Sequence, residues 1–597
     1  MKATDTTSRE GSDSRRAISY PLNALLVVLI TATANAAVWF AGREGFVQVP
    51  SIVVPLRNVA IVSLILLLGR FLMSQRDRRA ELFLLIATLL FGLGLAMQFR
   101  LGHDAPRQLA GREIELVADT VRFRMQGEPE DSIAAEIKRT VNGYNASLRR
   151  DFDQGRIDVR LARSLEKEYG ASDTTSPFLQ GRSTAPTDSI IFRILPLLAA
   201  LGGIFFFSRS RFAATLASQW RAVGLYGSLA LCAVTFLYLG SVGGIRGSSV
   251  SPQELLKLSI PIAWAGLLLR YRNVFLGESL ARMTDRPLVL WLYVLGLLAL
   301  PLLVFVAVRD FGQFLAIGLA QILLLAWFTR STLYVLLFGS GLTIASIVLL
   351  GSSIQFASPV LLIFLVLALT VLALAGLERF KTRGALWPTA SIVLVGFGLL
   401  AWVASLLPVV QKMLETPRSR FMLWADLFAR HDNPNWWDNS RQVIEALYAF
   451  DAGGVVGQGF GGGSPFLIPK SGSDFIFAAF VEELGLVGGI LILLAFLALI
   501  IIGLRIAADR DRGSFAGLLV AGYVLLIASQ TFVHVAGTMN VMPMTGITLP
   551  LVSSGMSSIV VTWLLVGAIV GIAASGEGKK ERDDFVVVSR GEGRVQD

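Results

Sequence analysis

Apolar runs of about 20 residues recur along this 597-residue chain, and no other feature constrains its folding as strongly. A helix needs about that length to cross the hydrocarbon core of a bilayer. Backbone polar groups find no water there, so repeated runs of this kind have to fold as transmembrane helices. The composition agrees: 16% of residues are charged and mean hydropathy is +0.63, against about 25% charged in a soluble domain.

The runs predict spans at 19–41, 52–73, 79–98, 189–207, 219–240, 254–271, 287–308, 311–329, 331–350, 356–377, 385–408, 474–503, 514–537 and 551–574. That is an all-α polytopic membrane protein of about 14 transmembrane helices. Residues 1–18 read as a disordered cytoplasmic tail, 19–98 as three N-terminal helices, and 99–188 as an outward insertion. The insertion is charged, and its helical periodicity around Ile133–Ile137 and Val159–Leu165 predicts a small, soluble, helical unit. Membrane helices fill 189–408, a long outer loop follows at 409–473, C-terminal helices occupy 474–575, and 576–597 is a loose cytoplasmic tail. The first run follows Arg15 and Arg16 as a signal peptide would, but its length predicts a retained span.

The net charge of +10 would suit nucleic acid, but the basic residues sit in short loops between spans. Arg76 to Arg79, Arg209 and Arg211, Arg270 to Arg286, Glu378 to Arg383 and Arg505 to Arg512 fall on one side, which the positive-inside rule makes cytoplasmic. Both termini share that side, so this is a multi-pass protein of the cytoplasmic membrane with 99–188 and 409–473 facing outward. Cys232 is the only cysteine, which excludes an intramolecular disulfide and a cysteine metal site.

The candidate chemistry centres on Gly453 to Gly485, where a glycine-rich segment leads through Pro469 and Lys470 to Asp474 at the mouth of an apolar helix. An isolated Asp in that place usually caps the helix, whose dipole would lower its pKa. Here the loop also supplies Arg418, Arg420, Arg441 and Lys470. Glu482 and Glu483 lie two turns further on, either as helix–helix polar contacts or as site residues. Glu254 and Lys257 share a helix face at i,i+3 and serve either as a structural ion pair or in the site. Arg246, in the preceding outward loop, could meet an anionic head group, and Arg309 with Asp310 reads as the cap of a tight hairpin. The Pro-, Gly-, Ser- and Thr-rich segment Gly537 to Ser558 reads as a cavity wall, because irregular backbone at membrane depth has to line protein or water. His103, His431 and His534 show no zinc-site spacing, and GQGFGGG lacks the Lys-Ser/Thr of a Walker loop.

In order along the chain, these motifs resemble the SEDS family of FtsW/RodA-type proteins. The family's Q-P-x-E-x-x-K is similar to SPQELLK, with Ser251 for Gln; its P-D-L-G is similar to Arg309–Gly312. Its G-x-G-x-G, L-P, T-D-F-I-F-A and G-E-E-L-G series resembles GQGFG, IPKSGSDFIFAAF and VEELG. Its L-P-x-x-S-Y-G-G-S-S is similar to LPLVSSGMSS, with Ser554 for Tyr and Met556 for Gly.

The resemblance implies a peptidoglycan glycosyltransferase that polymerises lipid II at the outer face of the membrane, in division or cell-shape maintenance. It makes Asp474 the catalytic base, and Arg420, Arg246, Lys470, Glu254, Lys257, Ser557 and Ser558 the substrate-binding set. Positive charge on the developing pyrophosphate would come from Arg, Lys or a divalent ion such as Mg or Mn, with no organic cofactor. Its implied partners are membrane lipid, the lipid-linked peptidoglycan precursor and a class B penicillin-binding transpeptidase, with no nucleic acid. A lipid-linked oligosaccharide flippase and a catalytically silent scaffold are the competing readings.

Overall fold

The structure is a computed structural model that describes residues 6–45, 52–73, 77–102, 190–241, 252–272, 310–330, 340, 411, 415–425, 427, 436–463, 465, 468–510 and 513–575. The helices among them are α1 (Thr6–Gly45), α2 (Val53–Leu72), α3 (Arg78–Gly102), α4 (Ile190–Phe207) and α5 (Ser210–Ser218). A π-helical turn (Arg221–Tyr226) then runs into α6 (Gly227–Ser241), and a 3-10 turn (Pro252–Leu255) into α7 (Leu256–Arg270). They are followed by α8 (Phe311–Thr329), α9 (Glu415–Ala425), α10 (Trp436–Gly453), α11 (Ile476–Asp509), α12 (Phe515–Thr538) and α13 (Met556–Ala574).

Among the described residues seven helices are long and apolar enough to cross a membrane, eight if the bent pair α4–α5 is one span. The predicted spans 287–308, 331–350, 356–377 and 385–408, the bulk of the 99–188 insertion, the tail 576–597 and Arg246 lie outside the described residues. Three boundaries differ from expectation. α1 begins at Thr6, so helical backbone extends through most of the polar stretch 1–18 that was expected to be disordered. Leaving hydrocarbon does not end a helix, and α1 runs through Pro21 near that boundary. α3 continues to Gly102, past the expected start of the insertion at 99. The stretch 409–473, expected as one long loop, carries α9 and α10.

Close approach through small residues builds the bundle, as expected where lipid tails compete equally for apolar side chains. α4 crosses α13 so tightly that a Cβ on Gly203 would lie 2.9 Å from the Gly567 Cα, and one on Gly567 2.6 Å from the Ala200 carbonyl. Polar glue joins α1, α2 and α3: Asn58 Nδ2 donates to Asn35 Oδ1 at 2.7 Å and to the Leu95 carbonyl at 3.5 Å, all buried.

The two ends of the bundle differ in charge chemistry. At one end Arg70 pairs with Glu81 at 3.0 Å, Arg79 pairs with Asp509, Arg510 donates to the Ala573 carbonyl, and Arg272 lies against Gly513. The other end gathers Arg100, Arg420, Lys470 and Asp474, with Leu101 beside Gly472. The Arg-rich loops near 79, 272 and 505 therefore share one end, and Asp474 lies at the opposite one.

Candidate active site

The glycine-rich segment has a structural job. α11 is broken at Gly485, whose φ of 69° and ψ of −176° interrupt the helical ladder. The loop replaces the lost bonds: Gln458 and Gly459 N–H donate to the Glu482 and Glu483 carbonyls at 3.1 and 2.8 Å. Leu486 and Val487 N–H donate back to Gly454 and Val455 at 2.9 and 3.1 Å. A Cβ on Gly457, itself at φ +89°, would stand 2.3 Å from the Glu483 carbonyl, so only glycine fits. The run thus grips a helix break rather than a phosphate.

That break orients the two glutamates. Glu483 accepts from Arg100 Nε at 2.9 Å, and Arg100 Nη2 reaches the Gly463 carbonyl at 3.3 Å. Both side chains are at most 1% exposed. Glu483 therefore makes the helix–helix contact, and its partner Arg100 on α3 was not anticipated from sequence. Breaking such a pair from one side leaves a buried charge, at a cost of about 3–5 kcal/mol. Arg100→Ala is expected to lower thermal stability in detergent accordingly, and Arg100→Met with Glu483→Met to recover most of it. A double variant no better than the single would show that the charges themselves are needed.

Asp474 precedes α11 but does not cap it: the cap position is Phe475, with no side-chain capping bond. Its carboxylate is instead turned to a cluster of cations. Lys470 Nζ stands 3.5 Å from Asp474 Oδ2. A Cβ on Gly546 would lie 3.4 Å from both Asp474 Oδ2 and Arg420 Nη1, so acid and guanidinium converge over one glycine at φ +75°. Burial lifts the Asp474 carboxyl above its ordinary value, against the opposing pull of Lys470, the Ser473 hydroxyl and Arg420. This reverses the expectation of a dipole-lowered pKa, because desolvation outweighs the weak field of a helix end.

Lys470 adopts φ 58°, a left-handed conformation uncommon for a side-chain-bearing residue. Its carbonyl accepts from Ser473, Asp474 and Phe475 N–H at 3.0, 3.1 and 3.3 Å, which winds the turn that presents Asp474. Strain of this kind collects at functional sites.

The irregular segment 539–555 forms the facing wall, and side chains of its neighbours satisfy its backbone. Arg420 Nη1 donates to the Thr545 carbonyl at 2.6 Å, Trp424 Nε1 to Asn540 at 3.1 Å and Gln530 Nε2 to Thr548 at 2.9 Å. Ser553 Oγ donates to the Ser473 carbonyl at 2.8 Å and Ser554 N–H to Gly472 at 2.9 Å, tying this wall to the Asp474 turn. Ser558 is buried and bonded to Thr548 Oγ1 at 2.8 Å, so it braces the wall from behind; Ser557 is half-buried.

Glu254 and Lys257 form a buried ion pair at 2.6 Å. Glu254 Oε1 also accepts from Gln313 Nε2 at 2.6 Å, while the Gln313 backbone N–H reaches Asp310 Oδ1 at 3.1 Å. Asp310 thus caps α8; the hairpin expected of Arg309 and Asp310 has its first arm outside the described residues. Burial and the neighbouring Glu254 push the Asp310 carboxyl up to about 7, opposed by the Gln313 N–H, Lys257 and Arg420. Burial also pulls the Arg420 guanidinium down from its usual value, with Asp474 and Asp310 resisting. Arg420 therefore sits within the field of two carboxylates from different parts of the chain. Among the described residues no group of three or more His, Cys, Asp or Glu side chains could hold a metal ion.

These features define the class: an all-helical, multi-pass membrane protein with an acid and two cations gathered at one mouth of its bundle. Residues 360–577 match the family model described as cell cycle protein, of the FtsW, RodA and SpoVE type. It is 39% identical over 179 residues to the peptidoglycan glycosyltransferase RodA of Mycobacterium tuberculosis, covering 30% of this chain and 37% of that one. It is 40% identical over 136 residues to the stage V sporulation protein E of Bacillus subtilis, covering 22% and 36%. The chain thus spans little more than a third of the length of these relatives. A solved structure titled "Structural coordination of polymerization and crosslinking by a peptidoglycan synthase complex" aligns at 20% identity over 65% of this chain and 91% of that chain, with a TM-score of 0.33, too low to carry any argument.

Proposed function

We propose that the protein is a peptidoglycan glycosyltransferase that polymerises lipid-linked precursor at the outer membrane face. The observation that carries this reading is Asp474: largely but not fully buried, not used as a helix cap, raised in pKa, and flanked by Arg420 and Lys470. A base works best with a pKa lifted toward the operating pH. Asp474 takes the proton from an acceptor sugar hydroxyl as its oxygen attacks the donor's anomeric carbon. The bond from that carbon to pyrophosphate breaks, and the leaving anion departs toward Arg420 and Lys470. Glu254 and Lys257 act one shell away, through Gln313 and Asp310. Arg246 and Ser557 are assigned supporting roles in substrate binding, Ser558 braces the wall behind them, and a class B penicillin-binding protein is the proposed partner.

The test is polymerisation of lipid II by the full-length protein in detergent, with and without divalent ion. Polymer supports the reading; turnover confined to sealed vesicles, with no polymer, would make the protein a flippase. The proposal also requires the Asp474 end to face outward. On a Cys232→Ala background, a cysteine at the exposed Val541, beside Asn540 at the Asp474 end, is expected to react with an impermeant maleimide from outside, and one at Arg505 only after permeabilisation. The reverse pattern overturns the orientation.

A further inference from the structure

Beside Asp474 lies a pocket of about 90 Å³, walled by Arg420, Trp424 and Leu423 of α9, Gln442 of α10, Lys470 and Asn540. Its polar groups are not equally committed. The Trp424 indole N–H is spent on the Asn540 carbonyl at 3.1 Å, which fixes the plane of the ring. Asn540 holds φ 56°, so the wall that fixes Trp424 is itself conformationally set. Among the described residues the Gln442 carboxamide has no hydrogen-bond partner, although it lines the pocket. An immobilised aromatic ring, an uncommitted amide and two flanking cations make a recognisable ligand pattern.

We infer that this pocket is a subsite for one N-acetylated pyranose ring, with Trp424 as its stacking platform and Gln442 as its amide or hydroxyl partner. The inference rests on the polymerase reading for its substrate class. A pyranose presents an apolar C–H face to the negative face of an indole. Its acetamido group offers one donor and one acceptor, matching the carboxamide of Gln442. At about 90 Å³ the pocket is several times the ~10–15 Å³ that a single water requires, so it is open to part of a larger ligand. Arg420 and Lys470 line the same pocket and flank Asp474, so a sugar held there brings its hydroxyl to the base.

The probe is a water-soluble disaccharide of N-acetylated hexosamines, without phosphate or lipid, added to the full-length protein in nanodiscs. Saturation-transfer NMR is expected to show contact with its ring and acetyl protons. Trp424→Leu and Gln442→Ala are each expected to weaken binding about 3–10-fold, the scale of one lost stacking or polar contact, while Trp424→Phe, which keeps a ring but loses the bond to Asn540, weakens it less. In polymerisation the same two variants raise KM by a similar factor with kcat little changed. No binding to the wild type, or equal binding to wild type and both variants, overturns the subsite. Variant-sensitive binding without polymer formation by the wild type would keep the subsite and overturn the polymerase.

Discussion

Asp474→Asn is expected to reduce polymerisation of the lipid-linked precursor by about 10²–10⁴-fold, the usual worth of a positioned general base. The substitution is close to isosteric and removes a charge that burial already disfavours. Because the side chain makes no capping bond to α11, no helix start is lost with it. Thermal stability should therefore match or exceed wild type, which separates lost chemistry from lost fold. In the wild type the acid limb of the pH–rate profile should lie above the ordinary carboxylate range: the base works only when deprotonated, and burial raises its pKa. Activity then falls as pH drops through that raised value. A variant rate within a factor of about ten of wild type, under the ~10²-fold floor for such a base, would remove Asp474 from the mechanism.

Much of this arrangement is readable from sequence, and the exceptions share a physical cause. Hydropathy locates the seven long apolar helices because the bilayer sets their length, whereas the predicted spans 219–240 and 254–271 fold as shorter helices, each led in by a π- or 3-10-helical turn. The i,i+3 spacing of Glu254 and Lys257 announces their pairing because helix geometry is local. Contacts between distant segments carry no such local signature. Arg100 looks like the charged end of a span, yet it neutralises Glu483 nearly four hundred positions on, at |i−j| of 383. Asp310 reads as part of a hairpin cap and is the N-cap of α8; that it also shares Arg420 with Asp474 depends on where α9 docks. The glycine run could be read as a cradle for a ligand, whereas its glycines are demanded by the backbone of a broken helix that the sequence shows as one continuous apolar run. Gly485 is the one local clue, since an isolated glycine within a helical pattern often has a packing reason.

Arg420→Ala is expected to cost about 10²–10³-fold in rate, the scale of losing one preorganised donor to a developing anion. It should also change the shape of the pH profile, which sets it apart from a merely structural defect. Arg420 lowers the pKa of Asp474 and of Asp310. Removing its charge therefore raises both, and more of Asp474 is protonated at any given pH. The acid limb of the rate profile then moves to higher pH. Arg420→Lys keeps a charge but loses the planar fork that reaches the Thr545 carbonyl at 2.6 Å. It should keep the acid limb near its wild-type position while recovering only part of the rate. A uniform loss at every pH with an unmoved limb in both variants would mean that Arg420 merely braces the 539–555 wall, and the charge on the leaving pyrophosphate would then fall to Lys470.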